Sequence, residues 1–327
     1  MAQNKRLTYL DTAAGIFIIY MVFYHCSQFS NIHHNYVSEL LSIVFSCFMA
    51  WFFFKSGMFH KTDITSLKNE FIYAFQKLWR PYLLFWCIGI IISSVKFYSV
   101  GDTNWIHYLL TPIKSTLLSG SNNGALPMWF LVTLLMVRTL SPIMLNKCRG
   151  YGWIICGIVG VILCFINSTH RMNLIKPYYF ANFFPAMFFY GLGFYMKDQQ
   201  FNLMTFVLAF VIYIISFIWP STIDFRTNAP IRGNALLWYI YAAAGIMVFN
   251  YICKKINFSI CFVTKIGQNS MWWFLAHWPI LNLSNILYGN IYKLEGWGLI
   301  MAEFMTIISI LILFRPLVNQ PSFRRWI

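Results

Sequence analysis

The chain has 327 residues, of which 59% are hydrophobic, 20% aromatic and only 10% charged, and its mean hydropathy is +0.62. Soluble domains carry about 25% charged residues, so this composition leaves too little polar surface for a soluble globule and excludes that class. The formal net charge is +15, but the basic residues fall in short groups without a continuous stripe or a nucleic-acid motif, so no nucleic-acid partner is expected. We predict an all-α integral membrane protein that is surrounded by membrane lipids.

Ten apolar segments reach the length of about 20 residues that a membrane-spanning helix needs, and they predict a bundle of about ten transmembrane helices. In chain order they cover residues 9–28, 38–59, 80–98, 126–146, 151–167, 178–196, 201–219, 234–252, 267–288 and 297–315. The first segment resembles a signal peptide, but no clear cleavage site follows, so we predict an uncleaved span. Because no long soluble insert interrupts these segments, we expect a single domain over residues 1–327.

The loops between these segments predict the orientation, because Lys and Arg concentrate in cytoplasmic loops. With a cytoplasmic N-terminus, fifteen Lys and Arg residues fall inside and seven outside, and the other two of the 24, Lys55 and Arg138, lie within spans. We therefore predict both termini in the cytoplasm and a location in the inner (plasma) membrane. Residues 99–125 are expected to form an outer loop, and the basic, amphipathic residues 60–79 an inner interfacial stretch.

The cysteines and histidines do not indicate a metal site or a disulfide framework. The eight cysteines form no Cys-x-x-Cys pair and mostly lie in apolar runs, which is typical of small buried residues. His33 and His34 are adjacent, so they do not share a helix face, and no cysteine or second acid has suitable ligand spacing. No metal is therefore predicted.

Two ionisable residues lie in the first span, Asp11 near its start and His25 near its end. Ionisable side chains are costly inside a membrane and usually mark a site of function, and a neutral imidazole can accept a proton near pH 7. His25 is therefore the candidate catalytic base. Asp11 is a second candidate, although it could also cap the helix or pair with a cation. Its axial distance from His25 is about 21 Å, which excludes contact within a straight helix.

Five short motifs follow one another in an order that resembles the acyltransferase family 3 membrane proteins over the whole chain. They are Leu10-Asp11 with Gly15 before His25, Phe52-Phe53 with Ser56-Gly57, Arg80-Pro81-Tyr82, Trp129-Phe130-Leu131, and Ile266-Gly267 with Asn269-Ser270 before His277. The resemblance implies transfer of an acyl group, usually acetyl, from coenzyme A to a hydroxyl of a cell-surface polysaccharide or a lipid-linked sugar. It implies that His25 is essential and that Asp11 is the matching acid. Acetyl-CoA would be a donor substrate, and no permanently bound cofactor is expected.

One position departs from the family pattern, because Ala14 stands where the family has Arg or Lys. Positions 14 and 25 share a helix face and lie about 16 Å apart along the axis, which is comparable with an extended pantetheine arm. A cation at 14 could therefore hold the donor diphosphate while the base acted beside the thioester. We expect another cation to compensate, and the candidates for donor binding are Arg80, Lys55 and Arg138.

Four residues are candidates for binding the acceptor or for stabilising the oxyanion: Trp129, Asn269, Ser270 and His277. Arg138 is a further candidate for the oxyanion. Two of these residues have a structural alternative as well, since Trp129 could belong to an interfacial aromatic belt and His277 could sit at a proline kink.

Two other functions remain open at this point. Intramembrane charges and aromatic grooves would suit a transporter or flippase of lipid-linked sugars, although the inverted repeats of many transporters are not evident. The departure at Ala14 is the only support for an inactive acyltransferase-like scaffold. The sequence also leaves open whether His25 deprotonates the acceptor directly or is itself acylated first.

Overall fold

The computed structural model describes residues 7–30, 36–60, 66–99, 101, 105–147, 150–169, 176–197, 199, 202–256, 261–318 and 320. These residues are mostly helical, with one short antiparallel hairpin of β1 (Thr222–Asp224) and β2 (Ala229–Arg232). The helices are α1 (Thr8–Phe29), α2 (Tyr36–Val44), α3 (Phe48–Met58), α4 (Leu67–Ser99), α5 (Trp105–Ser119), α6 (Trp129–Ser141), α7 (Gly152–Thr169), α8 (Tyr178–Met196), α9 (Leu203–Ile218), α10 (Ala235–Ile256), α11 (Cys261–Gln268), α12 (Ser270–Asn285), α13 (Gly296–Leu313) and α14 (Arg315–Val318).

Six stretches of helix are long and apolar enough to cross a membrane, within the part of the chain that the structure describes. They are Thr8–Phe29, Tyr36–Met58, Leu67–Tyr98, Leu126–Leu145, Ala235–Lys255 and Gly296–Leu317, and two shorter apolar helices cover Gly152–Ser168 and Leu203–Ile218. The chain is therefore a multi-pass, all-α membrane protein. The count of ten spans stays a prediction, because the segments 178–196 and 267–288 are helical but lie outside both groups.

The structure differs from the sequence-based boundaries at four places, and the first is the division of the segment 38–59 into α2 and α3. Helix α4 begins at Leu67 and runs through Pro81 without a break, so most of the expected interfacial stretch continues directly into the third span. The expected loop 99–125 contains α5. The segment 267–288 is divided at Asn269 into α11 and α12, where Gly267 and Asn269 both have low helix propensity. His33 and His34 lie outside the described residues.

Helix α1 lies inside the bundle, and its backbone approaches that of α11 very closely. The helix is mostly apolar on all sides, which is typical of a buried helix, and 13 of its residues between Leu10 and Ser27 are buried. A Cβ atom on Gly15 would overlap the carbonyl of Val263, and one on Gly267 would overlap the carbonyl of Asp11. Small residues allow this approach between membrane helices, so the glycines hold α1 and α11 in a fixed relation.

The β1–β2 hairpin is anchored to the bundle by asparagine side chains. Asn182 of α8 donates a hydrogen bond to the backbone carbonyl of Arg226 (2.9 Å), and Asn167 of α7 donates to the carbonyls of Thr227 and Asn228 (3.1 and 3.0 Å). Asn167 and Asn182 are both buried. These bonds satisfy backbone carbonyls of a buried turn, which would otherwise cost free energy, and they fix the hairpin over α7 and α8.

We expect Gly267→Ala to lower the thermal unfolding midpoint of the detergent-solubilised protein, because the added methyl group must push α11 away from α1. Overpacking of this kind costs about 1–3 kcal/mol. The matched control is Gly298→Ala in α13, where nothing lies within 4 Å of an added Cβ. Equal midpoints for the two variants would contradict the close approach of α1 and α11.

Candidate active site

Two cavities adjoin α1, one towards each of its ends. The Lys55 cavity has a volume of about 950 Å³ and is lined by Asp11 and Lys55. The His25 cavity has a volume of about 370 Å³ and is lined by His25. Among the described residues, Phe274 alone lines both. Because Asp11 and His25 are about 21 Å apart along α1, the two cavities together follow most of the helix.

The Lys55 cavity is rich in basic side chains. Its lining includes Lys55, Lys77, Arg138 and Lys197, against the single acid Asp11. The ammonium group of Lys55 pairs with Asp11, with 3.6 Å between Nζ and Oδ1, and both side chains are largely buried. The cavity therefore carries a net positive charge that would attract an anionic ligand.

Arg138 is held in the cavity wall by a buried acid. Its Nε and Nη2 atoms both bond to Oε1 of Glu70, at 3.0 and 2.9 Å, and the Glu70 side chain is only 1% exposed. The guanidinium also lies over the ring of Tyr73, with 5.1 Å to the ring centroid. The anionic partner that an intramembrane arginine requires is thus supplied by the protein itself.

His60 lines the Lys55 cavity just after the end of α3 and is buried. Its Nδ1 atom is 2.9 Å from the hydroxyl of Tyr190, and within the described part of the chain its buried Nε2 atom has no hydrogen-bond partner. Burial, and then the charges of Arg138 and Lys197, lower the pKa of His60 to about 4. His60 is therefore neutral at pH 7, and the positive charge of the cavity comes from lysine and arginine.

At the other cavity, His25 lies against a second imidazole. The rings of His25 and His277 are stacked, with centroids 5.3 Å apart, and Trp278 meets His25 edge-on at 4.9 Å. The Nδ1 atom of His25 is 3.0 Å from Oε1 of Gln28. In the tautomer in which Nδ1–H donates to Gln28, the Nε2 atom is unprotonated and can accept a proton.

The remaining wall of the His25 cavity combines aromatic faces with polar edges. Trp129 and Trp238 line it together with Asp224 and Arg226 of the hairpin. The Asp224 carboxylate accepts a hydrogen bond from the backbone N–H of Arg226 (3.0 Å), which holds the turn in shape. A pocket with aromatic surfaces and a few fixed polar groups is typical of small-molecule binding sites.

The model of acyltransferase family 3, described as an acyltransferase domain, matches residues 7–315. The chain belongs to this family. It is therefore a membrane acyltransferase. No curated protein and no solved structure matches the chain.

The structure of this family 3 acyltransferase divides the candidate residues between the two cavities. His25 and Trp129 line the His25 cavity, and His277 stacks on His25. Asp11, Lys55, Arg138 and Ser270 line the Lys55 cavity. Trp129 is only 7% exposed, so the expectation of an interfacial aromatic belt does not apply to it.

Two candidates are not brought to either cavity. Arg80 is exposed beside the ring of Trp79, 5.7 Å from its centroid, and it lines neither cavity. Asn269 lies at the start of α12 and donates from Nδ2 to the carbonyl of Lys265 at 3.3 Å. Arg80 lies on the exposed surface of α4. Asn269 lies at the break between α11 and α12 and bonds to the backbone of α11.

Three candidates for an oxyanion donor beside His25 are at the wrong end of the bundle. Ser270 precedes His277 by seven residues on α12, which places it about 10 Å further along the axis. Asn269 lies before Ser270, and Arg138 lines the Lys55 cavity. The structure therefore places these three residues away from His25, and a role for them at the oxyanion stays a prediction.

Several residues of the two cavities were not found from the sequence. Gln28 follows His25 by one helical turn, a spacing that brings side chains together, so a local signal existed. Asp224 and Arg226 reach the site through long-range hairpin contacts, and Glu70 pairs with a residue 68 positions away. A single sequence gives no local signal for such contacts.

We expect Glu70→Gln to destabilise the protein by about 3–5 kcal/mol, because it leaves the buried charge of Arg138 without its acid. Chemical denaturation in detergent would measure the loss. The control is Glu39→Gln, which breaks the half-exposed pair with Arg232 and should cost less than about 1 kcal/mol. Adding Arg138→Met to Glu70→Gln should recover part of the loss, and equal effects of the two single changes would contradict a buried pair.

Proposed function

We propose that this membrane acyltransferase transfers an acetyl group from acetyl-CoA to a hydroxyl of a cell-surface polysaccharide or a lipid-linked sugar, with His25 as the base. We further propose that it works in the inner (plasma) membrane with both termini in the cytoplasm. The observation that carries the proposal is the polar cavity beside His25, which is separated by one aromatic residue from a large basic cavity. The basic side chains of the Lys55 cavity could bind the phosphates of acetyl-CoA, and His25 in the adjoining cavity could act on its thioester.

The donor would enter through the Lys55 cavity. The excess of Lys and Arg at this end of the spans favours a cytoplasmic location, where acetyl-CoA is made. Ammonium and guanidinium groups are the usual phosphate partners, and Lys55, Lys77 and Lys197 all line the cavity. Arg138 would add a fixed guanidinium. Arg80, which lies outside the cavity, is not part of this proposal.

Lys55 is our candidate for the cation that position 14 lacks. Ala14 is fully buried, with 0% of its surface exposed, so a long side chain has no room there. Asp11 precedes Ala14 by three residues on α1, or about 4.5 Å along the axis, and Lys55 contacts Asp11 from α3. Lys55 on α3 thus brings a positive charge close to position 14, where the family has Arg or Lys.

The chemistry requires one proton transfer in each direction. His25 Nε2 takes the proton of the acceptor hydroxyl while the oxygen attacks the thioester carbonyl, so a C–O bond forms and a tetrahedral oxyanion develops. Collapse of this intermediate breaks the C–S bond, and the imidazolium returns its proton to the departing thiolate. Trp129 and Trp238 would contact the acceptor sugar through their rings, with Asp224 and Arg226 at its hydroxyls. His277 would hold the His25 ring in place.

A second route has the same participants in a different order. His25 first attacks the thioester carbonyl, so that a C–N bond forms and the C–S bond breaks with release of the thiolate of coenzyme A. The acceptor hydroxyl then attacks the acyl-imidazole, so that a C–O bond forms, the C–N bond breaks and the hydroxyl proton passes to the freed imidazole. Ping-pong kinetics and a radiolabelled acyl-enzyme in the absence of acceptor would support this order. Sequential kinetics without a labelled enzyme would support direct transfer.

We expect His25→Gln to abolish acetyl transfer by the purified protein, because glutamine cannot accept a proton at neutral pH. The assay follows radiolabelled acetyl from acetyl-CoA into a glycan or glycolipid fraction. The control is Ser27→Ala on the same turn, whose hydroxyl bonds to the carbonyl of Tyr24 and which lines neither cavity. Wild-type turnover in a folded His25→Gln protein would rule out His25 as the base.

Movement of a lipid-linked sugar without any thioester would instead support a flippase. A folded wild-type protein without acetyl transfer would support a scaffold.

We expect Lys55→Met to raise the KM for acetyl-CoA by about 10- to 100-fold with little change in kcat, since a hydrogen bond to a charged group contributes about 1.5–3 kcal/mol. The control is Arg80→Met, which removes a charge outside the cavity and should leave the KM unchanged. Initial rates at varied acetyl-CoA concentration measure both variants. A larger effect from Arg80→Met would contradict the assignment of the Lys55 cavity as the donor site.

A further inference from the structure

Three phenylalanine rings form a partition between the two cavities. Phe52 comes from α3, Phe130 from α6 and Phe274 from α12, and each is less than 10% exposed. Their ring centroids are 6.3 Å apart for Phe52 and Phe130, 6.4 Å for Phe52 and Phe274, and 5.0 Å for Phe130 and Phe274. The three helices therefore close around one apolar layer.

The partition is a single residue thick at Phe274. All three rings line the Lys55 cavity, and Phe274 also lines the His25 cavity. On the far side, Met49 and Trp129 line the His25 cavity, one helical turn from Phe52 and one residue from Phe130. Among the described residues, Phe274 is therefore the point at which the two cavities meet.

We propose that Phe274 is a gate that must turn aside for the thioester to pass from the Lys55 cavity to His25. This inference rests on the proposed function, because it assumes a donor held near Lys55 and a reaction at His25. In the closed arrangement the Phe274 ring is held only by packing against the other rings, with no hydrogen bond to break. An arm of the donor that fills the gap with its own apolar atoms can therefore take the place of the ring.

A closed gate has a chemical purpose in this arrangement. An apolar constriction excludes water and ions even when it is not fully blocked. While the gate is closed, a thioester in the Lys55 cavity is kept apart from His25, so the base cannot activate water to hydrolyse it. With the gate closed, the apolar partition also separates the His25 cavity from the basic Lys55 cavity.

Thiol labelling of two single reporters tests the gate without relying on activity. Met49→Cys places a thiol in the His25 cavity just beyond the partition, and Ser56→Cys places one in the Lys55 cavity. Membrane vesicles of both orientations are treated with an anionic, membrane-impermeant methanethiosulfonate, and protein without an added cysteine is the blank. Each reporter is combined with Phe274→Ala, with Phe274→Trp, and with Phe17→Ala as the matched control. Phe17 is fully buried and lines neither cavity.

With Phe274 in place, we expect the Met49→Cys reporter to react only from the side opposite to that of the Ser56→Cys reporter. Phe274→Ala should raise its labelling rate from the Ser56→Cys side severalfold, whereas Phe274→Trp and Phe17→Ala should not. An unchanged rate in Phe274→Ala, or an equal rise in Phe17→Ala, would overturn the gate.

The same vesicles separate the gate from the proposed function. Acetyl-CoA should slow labelling of the Ser56→Cys reporter if the Lys55 cavity binds the donor. A rate that depends on residue 274 without any protection by acetyl-CoA would support the partition and contradict the donor assignment. Protection without dependence on residue 274 would support the donor site and overturn the gate.

Discussion

Ionisable groups inside a membrane bundle need partners, and this constraint organises the whole structure. Asp11 meets Lys55 across α1 and α3, and Glu70 meets Arg138 across α4 and α6. Each acid is buried, so each pair has a large desolvation cost that is offset by the attraction between the two charges. The result is a specific contact between two helices. The pairs thereby fix where the positive wall of the Lys55 cavity lies, and they leave lysines beside it whose charges face a ligand-sized space.

The second organising feature is the rigid placement of α1. Its glycine-mediated approach to α11 sets the position of Asp11 at one end, and the stacking of His25 on His277 of α12 sets the other. Since α11 and α12 follow each other directly in the chain, one broken helix supports both ends of α1. The break at Asn269 lets the first part pack tightly and the second part diverge, and the Lys55 cavity lies beside this point.

Much of the helical architecture and the place of His25 could be predicted from the sequence, because long apolar runs and a single imidazole within one of them are local signals. The break at Asn269 could not, since the segment 267–288 is apolar enough to read as one span. Arg80 is exposed on α4, which continues from Leu67 through Pro81. Hydropathy does not reveal that the helix begins so early, so it does not predict the direction of the Arg80 side chain. Glu70 lies in the stretch 60–79 that the sequence predicts to be interfacial, and only the packing of α4 on α6 buries it beside Arg138.

Under the proposed function, the cation that position 14 lacks on α1 is supplied by Lys55 on α3. A cation at position 14 would need space on a face of α1 that is fully buried by packing. Lys55 comes from α3 and reaches Asp11, which lies one turn before position 14. In the proposed function, Asp11 positions Lys55 and takes no part in the chemistry, because it lies about 21 Å from His25. Lys55 Nζ lies 3.6 Å from Asp11 Oδ1, so we expect removal of the acid to alter the position of the ammonium group and with it the binding of the donor.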